Sequence, residues 1–297
     1  ELRGMIQEMA NELGVRLSFM SILLPTSLTA DASNLKQKTL KIGQVGRTLA
    51  IFRVNQVCIY NDDDQNVGNQ EKETTMIETI LRYMDTPQYL RKQLFPRMNE
   101  LRYAGLLPPL RTPHHPLKNE KMEKGDYREA TVLEASDEGS FLNIGLEEKG
   151  FTSEELEPGA RLTIRLGESK NEDKRVVTPA DRGEVNEYWG FKTTHAEALA
   201  EGLSKSKADY FIGTSRRGQS FYEAVEGIKS NDPKSVAVAF GGPYQGLFEI
   251  CERQNVDPDE LFDVIINTIP DQGVETVRTE EALTTTLALL NALTGSR

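Results

Sequence analysis

Two apolar runs near the C-terminus, VAVAF at 236–240 and VII at 264–266, break at once into loops rich in glycine and proline, GGPYQG and NTIPDQG. Buried parallel strands end this way at a ligand crevice in an α/β sheet, with apolar burial on both faces followed by an abrupt polar turn. At Gly241 and Gly242 the missing Cβ lets a ligand approach the backbone closely. A third polar segment, TSRRG at 214–218, follows the strand pattern at 210–213. Any α/β protein has tight strand-to-helix turns, but three in succession favour one shared pocket.

The rest of the chain supplies a sheet and a second, different rhythm. Residues 1–14 read as a short amphipathic helix closed by Gly14, and 15–24 as a first strand. Ser33 and Asn34 can cap a helix whose apolar face is Ile42, Val45, Leu49 and Phe52, and 54–60 reads as the next strand. Strand–helix–strand is the unit from which parallel sheets are built. A helix over 73–84 is followed by one capped by Thr86, with Pro87 first, Pro96 kinking or dividing it and Gly105 ending it. Four prolines between 108 and 116 predict an extended linker. Alternating segments at 127–133, 140–145 and 161–166 then predict a small antiparallel barrel. From about 188 the α/β rhythm returns: a helix over roughly 195–206, the strand at 210–213, then further strands and a last helix. That last helix opens on Glu280 and Glu281, where carboxylates favour the helix dipole. The expected organisation is an α/β domain formed by 1–106 and 190–297, interrupted by a β-barrel at 107–189.

Charge refines the function classes. A net charge of −11 argues against a generally adhesive nucleic-acid binder. Yet residues 32–60 hold Lys36, Lys38, Lys41, Arg47 and Arg53 with no acid, and 86–118 hold Arg91, Lys92, Arg97, Arg102, Arg111 and Lys118 against Glu100 alone. Such a reversal suits a phosphate backbone; the competing reading is separate solvated faces. From these stretches Lys36, Lys38, Arg53, Arg91, Lys92, Arg111 and the loop residue His114 are the candidate RNA contacts. His114 and His115 have no cysteine or carboxylate at metal-ligand spacing, so no metal site is expected. Neither GxGxxG nor GxxxxGK is present, which disfavours dinucleotides and nucleoside triphosphates. No serine sits in a nucleophile elbow, and His195 opens a helical pattern. No run reaches the length of a membrane helix, and the first residues show no secretory pattern. With Cys58 and Cys251 the only cysteines, a cytoplasmic protein without a structural disulfide is expected.

The segments LTADASNLKQKTLKIGQVGRTLAIFRV, LRYMDTPQYLRKQLFPRMNELRYAGLLPPLRTPHHP, IGTSRRG, AFGGPYQGL and NTIPDQGVETVRTEEAL resemble the α/β-knot (SPOUT) RNA methyltransferases. The resemblance is to the archaeal and eukaryotic branch with an inserted barrel of the oligonucleotide-binding type, and it covers nearly the whole chain beyond residue 14. It implies a parallel α/β domain tied in a deep trefoil knot, with the small OB-like barrel inserted. It also implies S-adenosylmethionine bent in the knot, an RNA acceptor, and a homodimer completing the active site. The cofactor residues implied are Thr214, Ser215, Arg216, Gly241, Gly242, Pro243, Gly246, Leu247, Asn267, Ile269, Pro270, Gln272, Gly273, Val277 and Thr279. The arginine of the family's first motif falls on Arg47.

Arginine is a poor base, so Arg47 is expected to grip a phosphate or a developing oxyanion on the acceptor, with Arg278 a second candidate near the cofactor. The resemblance favours uridine N3 in ribosomal RNA as acceptor, with ribose 2′-O second. The rival reading is a non-catalytic RNA-binding or assembly protein that uses the barrel and the basic faces.

Overall fold

The computed structural model describes residues 17–116, 121–171 and 173–293. The helix expected over 1–14 and Lys118 lie outside them. The described chain forms two compact units. One comprises residues up to Arg82, Tyr103–Pro108 and the chain from Phe191; the other comprises Tyr83–Arg102 and Pro109–Gly190.

The first unit is built on β1 (Phe19–Pro25), β2 (Gln56–Tyr60), β8 (Lys192–Ala196), β9 (Tyr210–Ser220), β10 (Ser235–Ala239) and β11 (Val264–Asn267). They form one sheet in the order β11-β9-β10-β1-β2-β8, parallel throughout. Ile22 of β1 stands between Val238 of β10 and Val57 of β2. β2 is buried along its whole length and β1 at all but its first residue, which is why these strands read as unbroken apolar runs. Around the sheet lie α1 (Leu35–Ile51), α2 (Gln70–Asp85), α4 (Leu199–Lys205), α5 (Phe221–Asn231), α6 (Leu247–Arg253), α7 (Pro258–Leu261) and α8 (Thr279–Leu293). Asn34 caps α1 as expected, its side chain accepting from the Gln37 N–H at 3.0 Å. Cys58 and Cys251 are free and buried in one cluster with Leu23, Leu199 and Ile250. Among the described residues no helix is long and apolar enough to cross a membrane.

Two expectations change here. KTTHA at 192–196 is the edge strand β8, and α4 begins only at Leu199. His195 is therefore a strand residue, its Nδ1 3.4 Å from Glu78; two threonines weigh towards β where spacing suggested helix. TSRRG is not a strand-end loop but lies inside β9, as an excursion. Gly213 pairs with Ile265, then Gln219 pairs with Ile266, so 214–218 project between two paired stretches. Gly218 allows the return, because a Cβ there would stand 2.6 Å from the Ile265 carbonyl oxygen.

The second unit contains α3 (Gln88–Leu94) and the strands β3 (Tyr127–Ser136), β4 (Gly139–Asn143), β5 (Lys149–Thr152), β6 (Arg161–Asn171) and β7 (Lys174–Ala180). The strands close a barrel in the order β3-β4-β5-β7-β6 around Ala130, Val132, Leu142, Ile144, Ile164, Leu166 and Val177. One pair, β5–β7, is parallel. A closed ring of five strands cannot alternate direction throughout, so the expected antiparallel barrel carries one parallel seam. The units also group 83–102 with the barrel rather than with the α/β residues. Asp85 and Thr86 both accept from Arg161 of β6, at 3.0 Å. Thr86 is thus occupied and does not cap α3; Pro87 stands at its N-cap without a side-chain bond, and α3 ends at Leu94.

Candidate functional site

A cavity of about 420 Å³ opens beside the excursion of β9 and the carboxyl ends of β10 and β11, within the range of small-molecule sites. These strands adjoin in space but not in sequence order: from β10 the chain returns across β9 to place β11 on its far side. A crevice forms outside the strand ends where the chain reverses in this way. The walls are the excursion 214–217, the turn 240–246, residues 266–269, and the stretch from Gln272 to Thr279.

Side chains tie these walls together. Thr214 Oγ1 donates to the Ala239 carbonyl at 2.9 Å. Asn267 Nδ2 donates to the Arg216 carbonyl at 3.0 Å, while its Oδ1 accepts from the Ile269 N–H. Thr279 Oγ1 donates to the Gly241 carbonyl at 3.0 Å, pinning the glycine turn to the start of α8. The turn itself tolerates no Cβ. At Gly241 one would stand 2.9 Å from Gly246 Cα and Leu247 N, and at Gly242 it would run into Ser27 Oγ.

Beneath the turn lies a layer that the linear pattern did not show. Tyr60 donates to the Phe240 carbonyl at 2.6 Å. Asp62 accepts from the Ser27 N–H at 3.2 Å, and burial lifts its carboxyl to about 6. Arg253 of α6 donates to the Asp62 carbonyl at 2.9 Å and also meets Gln245 of the turn. Glu280, at the helix start where it was expected, is 6% exposed. Its Oε2 lies 3.0 Å from Lys41 Nζ of α1, which also holds Asp31 at 2.7 Å. The outward capping role falls to Glu281, which accepts from the Arg278 N–H.

Of the expected cofactor residues, Thr214, Ser215, Arg216, Gly241, Gly242, Pro243, Gly246, Asn267, Ile269, Gln272, Val277 and Thr279 line the cavity. Leu247 does not: it is 1% exposed and belongs to the core cluster, because it is the first inward residue of α6. Pro270 and Gly273 are exposed and also outside the lining. Sequence reading missed Arg217, Phe240, Thr268, Glu275 and Thr276, and also Glu249, whose carboxylate meets Arg217 at 2.6 Å. Their signal was position beside the glycines, which the residue types alone did not carry. Neither Arg47 nor Arg278 lines the cavity. Arg47 is half-buried on α1, and Arg278 is exposed just before α8.

The expected RNA contacts fare unevenly. In the first unit Lys36 and Arg53 are exposed, while Lys38 is paired with Glu73 at 2.5 Å. In the second unit Lys92 and Arg111 are exposed, whereas Arg91 lies over the Tyr83 ring and donates to the Thr86 and Met84 carbonyls. His114 is no surface loop residue: it is fully buried, with Nε2 2.9 Å from the Asp85 carbonyl oxygen and its ring against Trp189. Asp85, Glu129, Arg161 and Arg182 complete this buried cluster. Burial alone would raise the Asp85 carboxyl, but the His114 hydrogen bond and the Arg161 charge outweigh it and hold it at about 2.

The family described as "Putative RNA methyltransferase" matches residues 19–290. A 28S rRNA (uridine-N(3))-methyltransferase of Homo sapiens is 34% identical over 298 residues, covering 91% of this chain and 77% of that protein. The protein of the same name from Drosophila melanogaster is 33% identical, over 92% of this chain and 62% of its own length. An uncharacterized protein of Halobacterium salinarum is 34% identical, over 91% of this chain and 98% of its own. Among solved structures, the SpoU methyltransferase AviRb from Streptomyces viridochromogenes aligns at 8% identity and a TM-score of 0.36, covering 95% of this chain and 62% of that one.

Proposed function

The chain belongs to the RNA methyltransferase family, and on that premise we propose that it transfers the methyl group of S-adenosylmethionine to N3 of a uridine in ribosomal RNA. The observation that carries the cofactor half is the cavity above β9, β10 and β11. Its glycine turn, Gly241 to Gly246, lines one wall, and the missing Cβ atoms let a nucleoside approach the backbone. Hydroxyls and amides from Thr214, Ser215, Asn267, Thr268 and Gln272 surround it, with Phe240, Ile269 and Val277 as apolar wall. A nucleoside fits that donor set; a polyphosphate does not, because the phosphate fingerprints are missing. When bound, S-adenosylmethionine supplies an electrophilic methyl on a sulfonium, and the walls fix its direction of approach.

The acceptor half rests on the names of the relatives and on acid–base chemistry. Uridine N3 must lose a proton before or during attack, and the negative charge spreads to the flanking carbonyl oxygens. Arg47 and Arg278 are assigned to that charge or to a neighbouring phosphate. Their place outside the cofactor cavity suits groups that meet the acceptor rather than the cofactor. The reading extends to a trefoil knot through the strands that carry the three walls, a homodimer that completes the acceptor side, and a cytoplasmic compartment, for which the two free thiols are support. Holding two reactants in line at about 3–3.5 Å supplies much of the acceleration in such transfers.

Calorimetric titration with S-adenosylmethionine tests the cofactor, and incubation with tritiated cofactor and total rRNA followed by nucleoside analysis tests the acceptor. N3-methyluridine is expected; 2′-O-methyluridine would move the acceptor to ribose. Gly242→Trp should abolish cofactor binding, and Arg47→Ala should lower transfer while leaving cofactor affinity in place. A folded wild type that binds no S-adenosylmethionine overturns the reading.

A further inference from the structure

The barrel wall carries a row of side chains that the methyl-transfer site does not use. Phe141 of β4 pairs across the sheet with Phe151 of β5. Both alternate with inward neighbours, Leu142 and Gly150, so the rings point outward and are only half-buried. The ring centroids are 5.1 Å apart with planes inclined by 55°, an aromatic corner on a solvent face. Beside it Lys149 of β5 stands directly opposite Lys174 of β7. Like charges in that register repel, and an anion between them would turn the repulsion into attraction. The Lys174 ammonium meanwhile rests 3.4 Å from the Phe151 ring centroid and 5.2 Å from that of Phe141. Stacking a base on an aromatic ring is stronger than such a cation–π contact, so a base can displace it.

We propose that Phe141, Phe151, Lys149 and Lys174 form a subsite for one unpaired base of the RNA substrate. The base stacks on the Phe151 ring with Phe141 against its edge, and its phosphate takes the two ammonium groups. Lys174 is the movable cover: over the rings in the free protein, on the phosphate in the complex. Glu134 of β3, opposite Phe141, repels a phosphate at that end and so places the backbone at the lysine end. The inference rests on the RNA methyltransferase reading for the class of ligand, and on the row itself for the site.

The test is fluorescence anisotropy of the full chain with a short fluorescein-labelled single-stranded RNA of mixed sequence, and with the same RNA as a duplex. F141L/F151L keeps the apolar bulk and removes the π faces. It should weaken single-strand binding between about fivefold and a hundredfold and leave duplex binding and the salt slope unchanged. K149A/K174A should weaken binding and flatten the slope of log K against log salt by about 1.4. Both variants should melt as wild type does and bind S-adenosylmethionine unchanged. Wild-type affinity in F141L/F151L, or equal losses on single strand and duplex, would overturn the subsite. If instead the wild type bound no cofactor while these RNA effects persisted, the methyl-transfer reading would fail and the subsite would stand.

Discussion

Removing Arg161 tests how the barrel unit is held together. The guanidinium is 19% exposed, yet it serves Asp85 at 3.0 Å and Glu129 at 2.6 Å, whose side chains are 5% and 1% exposed. It also donates to Thr86 Oγ1 and the Asp85 carbonyl. In Arg161→Ala the two buried carboxylates lose that fork, while Arg182 stands at 3.8 Å and 3.3 Å from them with its side chain 39% exposed. Leaving a buried charge uncompensated costs about 3–5 kcal/mol. For a unit of this size each kcal/mol moves the midpoint by about 4–8 °C, so a fall of at least about 12 °C is expected. The sequence has a single tryptophan, Trp189, and its Nε1–H donates to Glu129 at 2.8 Å. Tryptophan emission therefore reads this unit and not the α/β unit. Arg161→Lys keeps the charge but not the fork, and should fall between. A pH series adds a second readout. Asp85, held at about 2, contributes stability that is complete above its ordinary value and is lost as pH falls through about 2, roughly 2 kcal/mol in all. In Arg161→Ala that acid limb should move up in pH. A variant melting within a few degrees of wild type, with an unmoved acid limb, would refute the reasoning.

Lys41→Met should destabilise the α/β unit by about 3 kcal/mol, because Glu280 and Asp31 then lose their shared ammonium; denaturant midpoints by circular dichroism measure it, and adding Glu280→Leu should restore part of the loss. Gly190→Ala should cost at least about 2 kcal/mol, since Gly190 has φ +81° and a Cβ there meets Asp85 and His114; Trp189 emission reports the unfolding. Asp62, raised by burial to about 6, makes a contribution that is complete below about pH 4 and lost as pH rises through 6. Asp62→Asn should accordingly stabilise the α/β unit by about 2–3 kcal/mol at pH 8 and little at pH 4, read from urea midpoints at the two pH values.

Which parts were legible follows from how local their causes are. The strands at 56–60 and 235–239 were readable because burial on both faces leaves no polar positions to interrupt the run. The helix from Leu35 was readable because Asn34 caps it through its own chain three residues on. The glycine turn was readable because glycine marks where no Cβ fits. β8 was not, since KTTHA is an edge strand whose pairing with β2 lies in a distant part of the chain. Thr86 looked like a cap and His114 like a surface residue until Arg161 and Asp85 were brought beside them.

By itself the sequence determined that a parallel sheet ends in glycine loops, that a barrel interrupts it, and that the chain resembles the RNA methyltransferases. Only the tertiary structure decided that TSRRG is an excursion within one strand rather than a loop after it. It alone decided that Glu280 answers to Lys41, and that Phe141 and Phe151 face outward rather than into the barrel. The physical reason is one of range. Burial pattern, capping and backbone permissiveness act over a few residues and are written in order along the chain. Ion pairs, pocket walls and cross-strand rows join residues far apart in sequence, and their partners become known only once the strands are laid side by side.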